Sequence, residues 1–136
     1  MGEHSARPIG VTLDDVRSLA LPLPRTEEAL VRDHVKFRVR GIVYASVSPD
    51  DSLFGFAYPR DERAALVAAQ PDKFQMPLKS DEQYQWMRAR MAALDVAELR
   101  ELLLDAWQMV VPQKVVREHF SSIGLSRPAA REIRST

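Results

Sequence analysis

The sequence contains no cysteine, and this absence removes several chemistries at once. Disulfide bonds, thiolate nucleophiles and cysteine-ligated metal centres are all excluded. The chain also lacks an apolar run approaching the roughly 18 residues that a membrane-spanning helix requires. Its first residues, MGEHSARPIG, show neither the apolar segment nor the cleavage site of a secretory signal. These features predict a soluble, cytoplasmic protein with no membrane partner.

The net charge is zero, because 19 basic residues balance 19 acidic ones. A neutral total argues against a dedicated, strongly basic nucleic-acid binder. The charges are nevertheless unevenly placed. Residues 32–40 carry four basic residues and one acidic residue, whereas residues 95–105 carry four acidic residues and one basic residue. Such asymmetry can steer an anionic partner toward one side of a neutral molecule.

The length of 136 residues and a hydrophobic content of 46% suit one soluble domain with a single core. Neither an internal repeat nor a second domain is visible. We predict a single domain over residues 1–120, with its core at about 12–117. Residues 121–136 are polar and without period, which predicts a mobile tail.

Hydrophobic periodicity divides this domain into helices and strands. Thr12 is a suitable N-cap for a first helix, and "LPLP" at 21–24 ends it. The segment "RTEEALVRD" that follows has no clear period and is interpreted as a connection. The remaining elements are predicted in this order: strands at 35–47 and 53–58, a helix from Pro59 to about Gln70, a loop at 71–82, a strand at 84–91, a long helix from Asp95 toward Pro112, and a further helical turn or two at 115–120. The apolar stripe of the long helix is predicted to be Leu99, Leu102, Leu103, Ala106 and Val110.

The stretch "VKFRVRGIVYASV" at 35–47 is predicted to form a hairpin. A two-residue turn at Arg40-Gly41 needs a positive φ at Arg40, so a type I turn over 38–41 with a left-handed Gly41 is favoured. That turn pairs Phe37 with Val43 and places two sets of side chains on opposite faces. The apolar set is Val35, Phe37, Val43, Ala45 and Val47, and the other set is Lys36, Arg38, Ile42, Tyr44 and Ser46.

The order of elements predicts an α+β fold, in which helices pack on one face of an antiparallel sheet. The other face then stays at least partly open. Strict alternation in "YQWMRARM" sends Met87, Ala89 and Met91 inward. The candidate binding residues for nucleic acid or another anion are those expected on the open face: Lys36, Arg38, Tyr44, Trp86, Arg88 and Arg90.

Four segments in this order resemble the MmcQ/YjbR family over roughly residues 12–117. They are "FRVRGIVYASV", "YPRDERAALVAAQPDKF", "YQWMRARMAALDVAELRELLLDAW" and "MVVPQKV". The resemblance implies a compact α+β double wing, similar to the CyaY/frataxin fold and often described as DNA-binding-like. Members of the family are mostly uncharacterised, and the DNA-binding description rests on fold comparison.

The frataxin-like comparison adds iron binding by acids of the first helix as an alternative. Here that helix offers only Asp14 and Asp15, with Arg17 beside them. Two carboxylates at a helix start are typical of capping and of interaction with the helix dipole. We therefore expect no metal site there.

Other signs of chemistry are missing. His4, His34 and His119 have no metal-ligand spacing, and Ser46 and Ser48 have no neighbouring base in sequence. The stretch "SPDDS" at 48–52 is turn chemistry and lacks the later glycine and glutamate of a calcium loop. There is no glycine-rich phosphate loop and no nucleophile elbow. The sequence thus gives no indication of an enzyme or of a cofactor.

The leading hypothesis is a non-enzymatic binding module whose open sheet face contacts DNA or another anionic partner. Arginine and lysine would contact phosphates, while Tyr44 or Trp86 would stack on an exposed base. A protein–protein interaction module without a nucleic-acid role is the alternative. A solvated face with no partner is a further alternative, and the stems of Arg38 and Arg88 would also be able to extend across Trp86 and simply cover it. The oligomeric state does not follow from the sequence.

Overall fold

A computed structural model describes residues 9–124. Its helices and strands follow one another as α1 Leu13–Ala20, β1 Glu27–Val31, β2 His34–Val39, β3 Ile42–Val47, β4 Leu53–Ala57, α2 Arg60–Ala69, β5 Phe74–Gln75, β6 Trp86–Arg90, α3 Val96–Gln108 and α4 Gln113–Ser122. Short 3-10 turns lie at Lys79–Asp81 and Met91–Ala93. The predicted α+β class is confirmed.

The strands form one antiparallel sheet in the order β1-β2-β3-β4-β6-β5. Its register assigns each residue to a face, because directly opposed residues in neighbouring strands point to the same side. One cross-strand row consists of Phe37, Ala45, Phe56 and Met87, all fully buried. The row one residue further along consists of Lys36, Ser46, Gly55 and Arg88.

The inner face of the sheet packs against α3, which also contacts α1. Of the predicted stripe of the third helix, Leu99, Leu103 and Ala106 are buried, and Leu102 and Val110 are partly buried against the core. Trp107 continues this stripe, and its indole N–H donates to the carbonyl oxygen of Pro24 at 2.9 Å. The ring of Trp107 also meets the edge of His119, so α4 packs beside α3.

Capping residues define where the two core-covering helices begin. Thr12 accepts a hydrogen bond from the amide of Asp15, whose carboxylate accepts one from the amide of Thr12. Asp95 and Glu98 form the same reciprocal pair at the start of α3. Each box satisfies two amides that the helix itself leaves without acceptors. Both predicted helix starts are confirmed.

Two strands were missed by the sequence analysis. The stretch interpreted as a connection contains β1, and the loop at 71–82 contains the two-residue β5. Both are edge strands, so only one side of each is hydrogen-bonded. The side chains of β1 show little alternation of burial, and β5 is too short to show any. Helix α4 is also longer than the predicted turn or two. Residues 125–136, the larger part of the predicted tail, lie outside the described range.

The predicted hairpin register is wrong. Strands β2 and β3 are joined by a two-residue turn in which Arg40 and Gly41 both have positive φ, 53° and 80°. Such a turn matches the right-handed twist of the two strands, and this match outweighs the cost at Arg40. A bulge follows, since Phe37 pairs with Ala45 while Arg38 pairs with Val43. Val43 consequently lies on the open face with Arg38 and not in the predicted apolar set.

Within residues 9–124, no helix combines the length and the apolar character needed to cross a membrane.

Candidate functional site

The open face of the sheet holds a groove of about 590 Å³. Its floor is low because Ser46 and Gly55 in the middle strands, and Ser48 just after β3, carry small side chains or none. One wall rises from β2 and the other from β6 and the segment before it. The volume falls within the range of about 300–1,000 Å³ that is common for ligand pockets.

Trp86 lies across the floor of this groove, directly over Gly55. A Cβ atom added at Gly55 would come within 2.7 Å of Cζ2 of the indole and 2.9 Å of the Ser46 hydroxyl oxygen. Only glycine therefore lets the ring lie this close to the sheet. The side chain of Trp86 is half-buried. Because the sheet covers one side of the ring, its exposed part faces the groove.

Cationic side chains line both walls. Arg32 and Lys36 stand on the β1–β2 side and Arg88 on the β6 side, against one carboxylate, that of Asp81. Lys36 and Arg88 belong to the same cross-strand row and are three strand spacings apart, roughly 14 Å. Within residues 9–124 the ammonium group of Lys36 forms no ion pair. The groove thus presents positive charge on either side of an aromatic ring.

Arg88 has a fixed position in this arrangement. Its Nε donates to the carbonyl oxygen of Met76 at 3.0 Å, which ties the side chain to the strand-flanking loop. The two terminal nitrogens of its guanidinium keep their remaining N–H groups for other acceptors. The structure therefore brings together three of the six predicted residues, namely Lys36, Trp86 and Arg88.

Arg38 and Arg90 lie on the same face but outside the groove lining. The Nε of Arg38 is 3.6 Å from a carboxylate oxygen of Glu27 on β1, so part of its charge is balanced there. Arg90 donates to the carbonyl oxygen of Asp72 at 2.6 Å, at the β5 end of the sheet. These two arginines flank the groove on opposite sides.

Tyr44 is the one predicted site residue that lies on the wrong face. The bulge between β2 and β3 turns its side chain into the core, where it is fully buried. Its hydroxyl group shares a hydrogen bond of 2.8 Å with that of Thr26. Burial raises the pKa of Tyr44 to about 12, although the hydrogen bond to Thr26 acts in the opposite direction. Tyr44 is a core residue and not a stacking platform.

Helix α2 fixes the segment that carries Trp86. Arg63 is buried, and its guanidinium donates to the carbonyl oxygens of Glu82, Tyr84 and Trp86, at 2.8 Å for Tyr84 and 3.0 Å for Trp86. Arg60 donates to the carbonyl oxygen of Gln83, which lies between Glu82 and Tyr84 in the chain, at 2.7 Å. These backbone carbonyl oxygens thereby satisfy a buried cation. The β6 wall of the groove is held from behind by these contacts.

Several lining residues were not predicted as site residues. Arg32 and His34 complete the β2 wall, while Leu78 and Tyr84 form the rim beside Trp86. Leu78 comes from a loop without periodicity, so no pattern assigned it to a face. Tyr84 belongs to the predicted strand at 84–91, whose alternation places it on the same side as Trp86, but it was not chosen as a site residue. Gly55 did carry a usable signal, because an isolated glycine within a strand often marks a close approach of another group.

Asp14 and Asp15, the carboxylates considered for iron binding, already have hydrogen-bond partners in the first helix and its cap. Asp15 belongs to the capping box, and Asp14 accepts a hydrogen bond of 3.1 Å from Arg17. Arg17 also holds Glu28 at 2.8 Å, which lowers the pKa of that carboxyl group. In the described part of the chain, no three histidine or acidic residues are grouped so as to hold a metal ion.

Comparison with known proteins identifies the family to which this fold belongs. A family model described as YjbR matches residues 21–109. The chain belongs to the YjbR family. The match takes in every strand of the sheet together with α2 and α3, so the whole groove lies within the YjbR region. The resemblance noted in the sequence is confirmed.

A solved structure supports the YjbR assignment at the level of the fold. The crystal structure of the Deinococcus radiodurans protein DR2400, with family-model domain DUF419, aligns with a TM-score of 0.67. The alignment covers 87% of this chain and 91% of that one, at 20% sequence identity. No curated protein matches the chain.

Proposed function

We propose that this YjbR chain is a non-enzymatic binding module that takes single-stranded nucleic acid in its open-face groove. The observation that carries the proposal is the position of Trp86, seated over Gly55 between the cations of Lys36 and Arg88. Base–aromatic stacking contributes about 1–3 kcal/mol per base and tolerates any sequence. Lysine and arginine on either side of such a ring can contact the phosphates that flank a stacked base.

A single strand fits this surface better than a duplex. The bases of a duplex are stacked on one another, so none of them offers a face to Trp86. Because Trp86 lies on the floor of a groove, a base must leave its own stack to reach the ring. A neutral chain with three cationic side chains, Arg32, Lys36 and Arg88, along one groove also suits a short contact with few phosphates. The cytoplasmic location predicted from the sequence is compatible with such a ligand.

The test is a salt-titrated binding measurement by fluorescence anisotropy. A labelled single-stranded oligonucleotide and its duplex are titrated with the protein at several salt concentrations. We expect the single strand to bind more tightly, with log K falling against log salt by roughly 0.7 per phosphate contact. Lys36→Gln should flatten that slope by one contact, while Lys114→Gln, on the exposed side of α4, should not. No binding at low salt, or binding unaffected by salt, would rule out phosphate contact.

A protein partner is the second candidate, and the apolar rim of the groove favours it. Ile42, Leu78 and Tyr84 are each more than half exposed around the groove. Aromatic and aliphatic side chains of this kind are common at the centres of protein interfaces. A groove that captures a protein segment should bind neither oligonucleotide in the salt titration. The substitution Leu78→Ser, which leaves the cations in place, should also weaken binding of the protein partner.

A further inference from the structure

Strand β1 is an uncovered edge of the sheet. It pairs with β2 along its full five residues without a bulge, and within residues 9–124 no strand pairs with its other side. Leu30 is 71% exposed and Val31 is 38% exposed. A regular, uncovered edge strand with exposed aliphatic residues is a template for a further strand.

The opposite edge of the same sheet is protected. Strand β5 has only two residues, and Pro71 and Pro77 flank it closely. Short edge strands and nearby prolines are common means of preventing edge-to-edge pairing. Between Glu27 and Val31 there is no proline, glycine or lysine. Only one of the two edges is therefore ready to accept a strand.

The hairpin geometry shows which backbone groups of β1 are free. Val31 and His34 flank a two-residue turn in which Arg32 and Asp33 have positive φ, 52° and 69°. Residues in that position exchange both of their hydrogen bonds, and the pattern alternates along the strand. The amides and carbonyls of Glu27, Ala29 and Val31 thus face β2. Those of Glu28 and Leu30 point away from the sheet.

The charges of β1 favour an identical strand in antiparallel orientation. Both acids are balanced within their own chain, Glu27 by Arg38 at 3.6 Å and Glu28 by Arg17 at 2.8 Å. Antiparallel pairing also sets the acidic end of one strand against the end that leads into Arg32 of the other. A parallel arrangement would instead align acids with acids, which is unfavourable.

We propose that β1 pairs with β1 of a second copy of this chain, antiparallel and centred on Ala29. Glu28 of each copy then exchanges backbone hydrogen bonds with Leu30 of the other. The twofold axis is normal to the sheet, so both open faces lie on the same side. Since each groove is lined by Val31 and Arg32 at its β1 end, the two grooves meet across the new strand pair. A five-residue strand supplies little area, and the dimer should depend on concentration.

The first experiment measures oligomeric state in the absence of nucleic acid, so its outcome is independent of the proposed function. Sedimentation velocity over a concentration series should show a shift from one chain to two. Leu30→Lys, at a largely exposed position, should remain a single chain. Ile123→Lys changes an exposed aliphatic residue on another surface and should dimerise as the original chain does. Circular dichroism checks that both variants are folded.

The second experiment tests the register and uses the absence of cysteine from the chain. Ala29 of the two copies would form a non-hydrogen-bonded pair with Cα atoms about 4.5 Å apart, within the range of a disulfide. Ala29→Cys should therefore yield a disulfide-linked dimer under mild oxidation, and Ser122→Cys on α4 should not. A protein that stays monomeric at all concentrations, a dimer that survives Leu30→Lys, or a dimer without the Ala29→Cys linkage would each overturn the proposal.

Discussion

The inner and open faces of the sheet are formed by alternate residues of the same strands. One tryptophan lies on each side of the sheet, Trp107 on α3 and Trp86 on β6, and their surroundings show how far the two sides differ. Trp107 packs on the inner side, is fully buried and donates its indole N–H to Pro24. Trp86 lies on the open side, half-buried, and within residues 9–124 its indole N–H has no hydrogen-bond partner. Buried polar groups nearly always find partners inside a fold. The indole N–H on the inner side is satisfied within the fold, whereas the one on the open side is left for a ligand.

The cations show the same contrast. Arg63, enclosed behind the groove, donates to three carbonyl oxygens. Lys36, on the open face, has no ion-pair partner within the described range. A buried charge must be satisfied by its own chain, and an exposed one need not be. Substitutions on each side of the sheet test this difference between the two faces.

The largest effect should follow from truncation of the inner face. Phe37 is fully buried between β1 and β3, so Phe37→Ala should lower the free energy of unfolding by about 3–5 kcal/mol. Leu99→Ala and Leu103→Ala on α3 should cost about 2–5 kcal/mol each. Urea denaturation measures all three. Midpoints that do not move for any of them would contradict the assignment of the faces.

Tyr44 makes the inner face sensitive to high pH. Its pKa is about 12 in the folded chain, against about 10 in an unfolded one. The unfolded state therefore loses this proton first, and stability should fall as pH rises from about 10 to 12, by on the order of 2–3 kcal/mol. Below about pH 10 the phenol is protonated in both states and adds no pH dependence.

The control for that prediction is Tyr44→Phe. The variant loses the hydrogen bond to Thr26, worth about 1 kcal/mol near neutral pH. It should also lose the part of the alkaline destabilisation that belongs to Tyr44. Equal alkaline slopes for the two proteins, measured by denaturation at a series of pH values, would show that the phenol does not titrate in this way.

Gly55→Ala tests the floor of the groove. The new methyl group would stand 2.7 Å from the Trp86 ring, so the ring must move off the sheet, and overpacking of this kind costs about 1–3 kcal/mol. The fluorescence of Trp86 should change and oligonucleotide binding should weaken. Ser46→Ala leaves more space at the same spot and serves as the matched control. If Gly55→Ala binds the oligonucleotide as tightly as the original chain, Trp86 does not contact the ligand.

The smallest effect on stability should come from the open face itself. Lys36→Ala and Arg90→Ala change side chains at the surface, and each should alter the free energy of unfolding by no more than about 0.5 kcal/mol. Denaturation under the same conditions as for Phe37→Ala makes the comparison direct. A loss comparable with that of the inner-face variants would mean that these cations stabilise the fold.

Sequence patterns predicted the elements that have a strong period. The stripe of α3 and the alternation of β6 were correct because both elements lie with one side on the core and the other away from it. The edge strand β1 was missed because its residues are too exposed to show a period, and β5 was missed because two residues are too few to show one. Both helix starts were recognisable from Thr12 and Asp95, whose capping depends on local residues alone.

The candidate site was predicted in part, and the wrong placement of Tyr44 has one physical source. A single extra residue in the β2–β3 pairing reverses the faces of Val43 and Tyr44, and nothing in the alternation of that stretch marks the bulge. Lys36, Trp86 and Arg88 lie beyond its influence and were placed on the correct face. Loop residues such as Leu78 join the groove only through the tertiary fold.

The most direct test of the open-face proposal is a ¹H–¹⁵N spectrum of the two tryptophan indoles during titration with a single-stranded oligonucleotide. Trp86→Phe assigns the two signals. We predict that the Trp86 signal shifts progressively to saturation at low salt, while that of Trp107, buried and bonded to Pro24, stays in place. A Trp86 signal that remains fixed while the oligonucleotide is fully bound would contradict the account, because binding would then occur away from the groove.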